Sequence, residues 1–212
     1  ATTSVALDFN GNIFEENSDC LNRLALSYAN GFGVPRDISL SLKYYSKAFN
    51  LGDTFAANNL GYNYANGGLD KIDYKKAKKY FEKSIEFDTQ KLNHLVHQNL
   101  ADLYFHGKGV EKNIIKAYEL FSEASDRNNL TSNLRLGDIH YYGLLGKKNC
   151  RKALEYFNKT AFADSNLIKS WQSSVRNTYA VDEAKQKIKM LEDDQSCSYD
   201  NFMEGKNDAL MM

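Results

Sequence analysis

Apolar and polar positions alternate along this chain in a pattern that predicts pairs of short helices. Four segments carry a leucine, a small residue one position later and Tyr or His four positions later, a spacing that places all three on one helix face. A glycine seven positions after each leucine predicts the helix end, because a left-handed cap costs little without a β-carbon. The four leucines are Leu24, Leu60, Leu100 and Leu136.

A second helix is predicted after each of these segments. A small residue lies 17 positions after every leucine, and an aromatic residue follows it by four, so both face the same side. The leucines are 36, 40 and 36 residues apart, which indicates an internal repeat of one helical hairpin. The pairs are Ser41 with Tyr45, Ala77 with Phe81, Ala117 with Phe121, and Ala153 with Phe157.

The same spacing predicts a degenerate fifth hairpin over residues 166–192, which has lost the glycine. A terminal hairpin of this kind is expected to cap the array, since an uncapped end exposes apolar surface. We expect residues 1–18 to form an acidic extension and residues 193–212 an acidic, flexible tail. The apolar positions of the fifth hairpin are Leu167, Ile168, Trp171, Ala184, Ile188 and Leu191.

The order LGxxYxxGxGV followed by KAxxYFxxA resembles the Sel-one-like repeat family, a relative of the tetratricopeptide repeat. The resemblance implies an all-α, right-handed α-solenoid of stacked helical hairpins, with repeats at about 19–53, 54–92, 93–130 and 131–165. It also implies a non-catalytic adaptor or scaffold that binds other proteins. The cysteine pair found in each repeat of the family's secreted branch is not matched by Cys20, Cys150 and Cys197.

Charge and composition narrow the function further. The chain has 27 basic and 27 acidic residues, so it is neutral overall, although the two ends carry about −8 and the repeats about +8. Neutrality argues against a basic coat for nucleic acid. No apolar run reaches the roughly 20 residues of a membrane span, and the first residues lack the pattern of a signal peptide. Three scattered cysteines favour a reducing compartment or a fold that needs no disulfides. We therefore expect a cytoplasmic protein, with export by a route without a signal peptide left open.

Candidate chemistry is sparse. His94 and His97 share a helix face, but no third metal ligand stands at a suitable spacing. His140 takes the tyrosine position of the fourth repeat, where a hydrogen-bonded core imidazole is expected. Cys150 lies in the basic run GKKNCRK and is expected to be a free thiol in a loop. We therefore predict no enzyme, no cofactor and no metal site.

Amide side chains dominate the face opposite the predicted core of the first helices. In such arrays this face commonly lines the concave groove, and Asn and Gln can donate to and accept from a peptide backbone. A composition rich in asparagine explains the same amides equally well. The predicted partner-binding residues are Asn22, Arg23, Leu26, Asn58, Asn59, Tyr62, Gln98, Asn99, Asp102, Arg135, Asp138 and Tyr142.

Three hypotheses follow for function. The first is an adaptor that holds a peptide segment or protein loop of a partner; the second is an immunity protein that neutralises a toxin. The third is an enzyme accessory subunit or a bacterial effector that acts on a host. Lysines of the second helices, such as Lys75 and Lys79, are expected to face solvent, with no nucleic-acid partner. The acidic tail, with Tyr199, Phe202 and Met203, is predicted to visit the surface of the array.

Overall fold

The fold is helical throughout the part of the chain that the computed structural model describes, which is residues 17–68, 71–90, 93–163 and 174–197. These residues contain no strand, which confirms the all-α prediction. A 3₁₀ helix, Gln195–Cys197, follows the last α-helix. The α-helices are α1 (Ser18–Asn30), α2 (Ile38–Asn50), α3 (Thr54–Asn66), α4 (Tyr74–Phe87), α5 (His94–His106), α6 (Ile114–Ser125), α7 (Leu130–Tyr141), α8 (Cys150–Ala161) and α9 (Ser174–Asp193).

The helices belong to two compact units that meet in sequence between Lys112 and Asn113. Unit 1 contains α1 to α5, in which α1 packs on α2 and α3 on α4, and each hairpin packs on the helix that follows it. Unit 2 contains α6 to α9, in which α7 and α8 form a hairpin between α6 and α9. Both units therefore stack successive helices along the chain, as the repeat pattern predicts.

Close contact between a small residue of the first helix and an aromatic ring of the second holds the hairpins α3–α4 and α7–α8 together. Phe81 and Phe157 are at most 1% exposed. Their rings lie against Gly61 and Gly137, where an added β-carbon would overlap the ring. The two glycines are thus required for the helices to approach, because core packing leaves no room for a methyl group.

The leucine positions are buried in three of the four first helices. Leu60, Leu100 and Leu136 are at most 4% exposed, whereas Leu24 is only half-buried. Leu24 lies on α1, and the structure describes no helix before α1 that could cover this side. The predicted helix ends are confirmed in unit 1, where the glycines after α1, α3 and α5 adopt the left-handed conformation.

The second half of the predicted fifth hairpin lies on α9. Ala184 and Leu191 are buried there, and Ile188 packs against the same apolar cluster. The predicted first half, with Leu167, Ile168 and Trp171, lies outside the described residues, as do the N-terminal extension up to residue 16 and the tail from residue 198 onward.

A disulfide joins Cys150, the first residue of α8, to Cys197 at the end of the 3₁₀ helix. The prediction of a free loop thiol at Cys150 is therefore wrong. Residues 193–197, which begin the predicted acidic tail, include the last residue of α9 and the 3₁₀ helix. The two Cα atoms are 5.6 Å apart, within the normal range for a disulfide, and both side chains are buried. The third cysteine, Cys20, lies buried in α1 and takes no part in this bond.

We expect the variant Cys150→Ser with Cys197→Ser to lose about 2–4 kcal/mol of unfolding free energy, because the bond closes a long loop and restricts the unfolded chain. The loop spans 47 residues. Urea unfolding of both proteins, with and without reductant, measures the loss. Reductant should lower the unfolding free energy of the wild type to that of the variant, and it should leave the unfolding free energy of the variant unchanged. Equal stability of the oxidised wild type and the variant would contradict the bond.

Candidate protein-interaction face

The predicted partner-binding residues lie on the first helix of each hairpin, but in two separate units. Nine lie on α1, α3 and α5 of unit 1, and three lie on or just after α7 of unit 2. Each group is therefore a surface of its own unit. The surroundings of the two groups differ. In unit 2, α9 packs against α7, whereas in unit 1 the residues lie on neighbouring first helices.

Side-chain amides connect the first helices of unit 1. Asn59 on α3 donates from Nδ2 to Oδ1 of Asn22 on α1, over 3.2 Å. Asn99 on α5 donates in the same way to Asn58 on α3, over 3.0 Å. These bonds fix the spacing of three helices. A primary amide has two N–H groups and an acceptor oxygen, so each bond uses only part of its capacity.

Two of the predicted residues of unit 1 do not reach the surface. Asn58 and Gln98 are buried, and Asn58 faces Asn99 on the next first helix. The amide of Asn58 joins two helices of unit 1, and neither buried side chain lies where a partner could reach it. Asn22, Asn59 and Asn99 are half-buried at the edge of the same surface.

Apolar side chains are the most exposed feature of this surface. Tyr62 on α3 is 44% exposed and Leu26 at the equivalent position of α1 is 37% exposed. Phe55, which the sequence prediction missed, is 39% exposed and precedes Tyr62 by seven residues on α3. Residues seven apart lie on one helix face, with Asn59 between them. We call the row of Phe55, Asn59 and Tyr62 the α3 stripe. The signal for Phe55 was its heptad spacing from Tyr62.

Charges near the α3 stripe are balanced. Arg23 forms an ion pair of 2.9 Å with Asp19 on the same exposed turn of α1, and Asp102 on α5 is half-buried. An exposed pair of this kind contributes little to stability. The surface is therefore suited to apolar and neutral polar contacts, and not to a strongly charged ligand.

In unit 2, two of the three predicted residues form ion pairs within the chain. Asp138 is 6% exposed and accepts a hydrogen bond of 2.6 Å from Nζ of Lys187 on α9. Arg135 pairs with the other oxygen of Asp138 over 3.4 Å. A buried carboxylate needs such partners. Asp138 therefore holds α9 on α7, with Arg135 as a second partner on its own helix, while Tyr142 beyond the end of α7 is 58% exposed.

His140 fills the tyrosine position of α7 as a stacked ring. Its imidazole lies parallel to the ring of Tyr156 and edge-on to Tyr118, with centroids 5.7 Å apart in both pairs. The prediction that this imidazole is hydrogen-bonded is wrong for Nε2. This atom is buried and has no hydrogen-bond partner among the described residues. Burial lowers the pKa of His140 below its usual value of 6.5, and Lys152 adds to this effect.

Lysines on α4 behave as a solvated face. Nζ of Lys78 lies 2.7 Å from Glu82, and Nζ of Lys83 lies 2.7 Å from Glu86. Lys76 lies over the ring of Tyr64 at 5.2 Å. These pairs are local and exposed, so they add little to stability.

Two further predictions concern metals and membranes. His97 is buried in α5, and the side chain of its proposed partner His94 lies outside the described part of the chain. Among the described residues, no group of three or more His, Cys, Asp or Glu is arranged to hold a metal ion. Nor does the described part include a helix of the length and apolarity that crossing a membrane requires.

Stacked helical hairpins of about 36 residues, joined by small-residue and aromatic contacts, define the class of α-helical repeat proteins. The family model described as "Sel1 repeat" matches residues 18–53, 54–86, 97–129 and 131–161. These matches cover more than half of the chain, so the chain belongs to the Sel1 repeat family. The members of this family serve in general as non-catalytic scaffolds for protein interactions.

Three similar proteins place the chain among its relatives. The ERAD-associated E3 ubiquitin-protein ligase component HRD3B of Arabidopsis thaliana is 36% identical over 100 residues, which are 46% of this chain and 15% of the relative. The chain thus spans a small part of this curated relative. A protective antigen of uropathogenic Escherichia coli with an SLR fold is 26% identical, with a TM-score of 0.60 over 82% of this chain and 41% of the antigen. A Sel1 repeat protein from Oxalobacter formigenes is 22% identical, with a TM-score of 0.62 over 81% of this chain and 72% of that protein.

We expect His140→Phe to flatten the dependence of stability on pH. The folded-state pKa of His140 lies below its unfolded value of 6.5, so the unfolded chain binds more protons in the interval between them. Wild-type stability is then complete above the unfolded pKa and falls as the pH drops through that interval. The phenyl ring keeps the stacking contact and does not titrate. The unfolding free energy of the variant should therefore rise relative to that of the wild type as the pH falls from 8 to 5.

Urea unfolding at pH 8, 6.5 and 5 measures this difference. His140→Tyr restores the residue type of the other repeats and serves as a second variant without a titration in this range. An identical pH slope in the wild type and in both variants would show that His140 is not the group responsible.

Proposed function

We propose that this chain is an adaptor that binds an extended segment of a partner protein on the α3 stripe of unit 1. The observation that carries the proposal is the exposure of Phe55 and Tyr62 on either side of Asn59. The helices of this face are held together by hydrogen bonds between side-chain amides. Aromatic anchors supply most of the energy in protein interfaces, and amides beside them supply orientation.

The geometry of unit 1 suits an extended ligand. Neighbouring packed helices lie about 8–10 Å apart, and an extended chain advances about 3.3 Å per residue, so every third ligand residue crosses a helix. A peptide that runs across α1, α3 and α5 would meet Leu26, then Tyr62, and then the amide of Asn99. Rigid helices also lower the entropy lost on binding.

The neutrality of this face defines the chemistry of the partner. Arg23 and Asp19 neutralise each other on α1, so the preferred segment carries apolar side chains and few charges. The name of the Arabidopsis relative describes a component of an E3 ubiquitin-protein ligase, which supports an adaptor role. Since this chain spans only 15% of that relative, its ligase partners are not carried over.

We also propose that the chain folds in an oxidising compartment. Disulfides seldom persist in the cytosol, and the bond between Cys150 and Cys197 supports a compartment that differs from the cytoplasmic expectation drawn from the sequence. Mass spectrometry of the protein from its source, after alkylation without reductant, tests this. One alkyl group, on Cys20, and a mass two hydrogen atoms lower than that of the reduced chain with one alkyl group are expected; alkylation of all three cysteines would overturn the proposal.

The binding proposal is tested with peptides selected from a random display library on the full chain. For a selected peptide, Phe55→Ala with Tyr62→Ala should raise the Kd by about 30-fold, as expected when two aromatic anchors are removed. Asn59→Ala with Asn99→Ala should also weaken binding. Fluorescence anisotropy gives the Kd values, and circular dichroism confirms that each variant is folded.

Tyr179→Ala is the matched control, because Tyr179 is an exposed tyrosine on α9 in the other unit. It should change the Kd by less than about twofold. Peptides whose binding is unaffected by the α3 stripe variants, or equally affected by Tyr179→Ala, would refute the assignment of this face.

A further inference from the structure

The turn between α7 and α8 exposes three large apolar side chains. Leu144 is 39% exposed, Leu145 is 44% exposed and Tyr142 is 58% exposed. The turn is tight, with the backbone N–H of Gly146 donating to the carbonyl of Gly143 over 3.0 Å. The three residues lie within one turn of the chain, and apolar groups exposed close together are a candidate contact surface. We call Tyr142, Leu144 and Leu145 the turn patch.

The end of the described chain is attached beside this patch. Asp194 accepts hydrogen bonds of 2.6 Å from the hydroxyl of Tyr141 and from Nζ of Lys148. The ring of Tyr141 in turn contacts the ring of Tyr142, with centroids 4.9 Å apart. Three residues after Asp194, Cys197 is bonded to Cys150. Cys197, the last residue before the segment 198–212, is therefore held close to the turn patch by a covalent bond.

The ionic part of this attachment persists over a wide pH range. Hydrogen bonds from Lys148 and Tyr141 hold the pKa of Asp194 well below its usual value, and those from Ser196 lower it further. The Lys148 ammonium also lies 4.1 Å above the ring of Tyr141. The carboxylate thus stays ionised and bound at any pH near neutrality.

Residues 198–212 complement the turn patch in sequence. This segment, SYDNFMEGKNDALMM, places the apolar pair Phe202 and Met203 between the acidic residues Asp200 and Glu204. The turn carries the basic residues Lys147 and Lys148 and no acidic residue. Phe202 is five residues after Cys197, a reach of about 17 Å when extended. Methionine adapts readily to irregular apolar surfaces.

We propose that residues 198–212 dock on the turn patch, with Phe202 and Met203 covering Leu144 and Leu145 and with Glu204 beside Lys147. A short tether gives the segment an effective concentration of about a millimolar, so a weak contact is enough to keep it bound. The apolar pair provides the contact area, and the acidic neighbours set its orientation. The site is distinct from the α3 stripe, so its test is independent of the adaptor proposal.

Hydrogen exchange measured by mass spectrometry on the full, oxidised chain tests this docking. Phe202→Ser with Met203→Ser should speed exchange of the peptide 141–149 by about tenfold, the factor for a segment bound nine-tenths of the time. Truncation after Cys197 should give the same rates. Phe32→Ser is the matched control, because Phe32 is an exposed apolar residue of the equivalent turn after α1 and should leave this peptide unchanged.

A pair of charge-reversing substitutions distinguishes specific docking from nonspecific apolar contact. Lys147→Glu should accelerate exchange of the same peptide, and adding Glu204→Lys should restore the slower rate. Unchanged exchange in the Phe202 and Met203 variant would overturn the proposal. So would wild-type protection that disappears on dilution, since that result would assign the turn patch to a second copy of the chain.

Discussion

The close approach of a first helix to the aromatic residue of its partner helix is the constraint on which the rest of this structure depends. The ring of Phe81 lies where a side chain on residue 61 would have to be, and the ring of Phe157 has the same relation to residue 137. A packed interior cannot absorb even one extra methyl group without displacement. The small residue therefore sets the distance between the helices, and the distance fixes which other residues of the repeat are buried and which face outward.

Polar residues take different roles within this framework. Asparagine and aspartate cap the N-termini of most helices, as Asp53 does for α3 and Asn129 for α7. Asn22, Asn58, Asn59 and Asn99 join the first helices of unit 1 through their side chains. Much of the abundant asparagine in this chain is thus structural. What remains exposed on the α3 stripe is a neutral surface with two aromatic side chains, and not a row of unused amides.

The end of unit 2 is closed by interactions of three different kinds. Apolar packing buries Ala184 and Leu191 of α9. A buried ion pair links Lys187 to Asp138, and a disulfide fixes Cys197 to Cys150. Apolar burial supplies most of the energy, the ion pair selects one orientation, and the covalent bond restricts the unfolded chain. All three interactions hold α9 and the 3₁₀ helix on the rest of unit 2.

The sequence by itself determined the repeat, the helix ends in unit 1 and the buried ring of every second helix. These features follow from spacing within about 20 residues, where helix geometry alone decides which residues share a face. The sequence also located Tyr62 and Leu26 on the candidate face. It could not separate Asn58, which is buried, from Asn59, which lies at the edge, because that difference depends on how closely the next helix packs.

Only the tertiary structure decided which distant residues meet. Cys150 and Cys197 are 47 residues apart, and Asp138 and Lys187 are 49 apart, so no local period connects them. Their partners were fixed by the path of α9 over α7 and α8, which is a consequence of apolar packing summed over the whole unit. The sequence thus specified each hairpin, whereas the choice between a surface residue and a contact residue arose when the hairpins packed together.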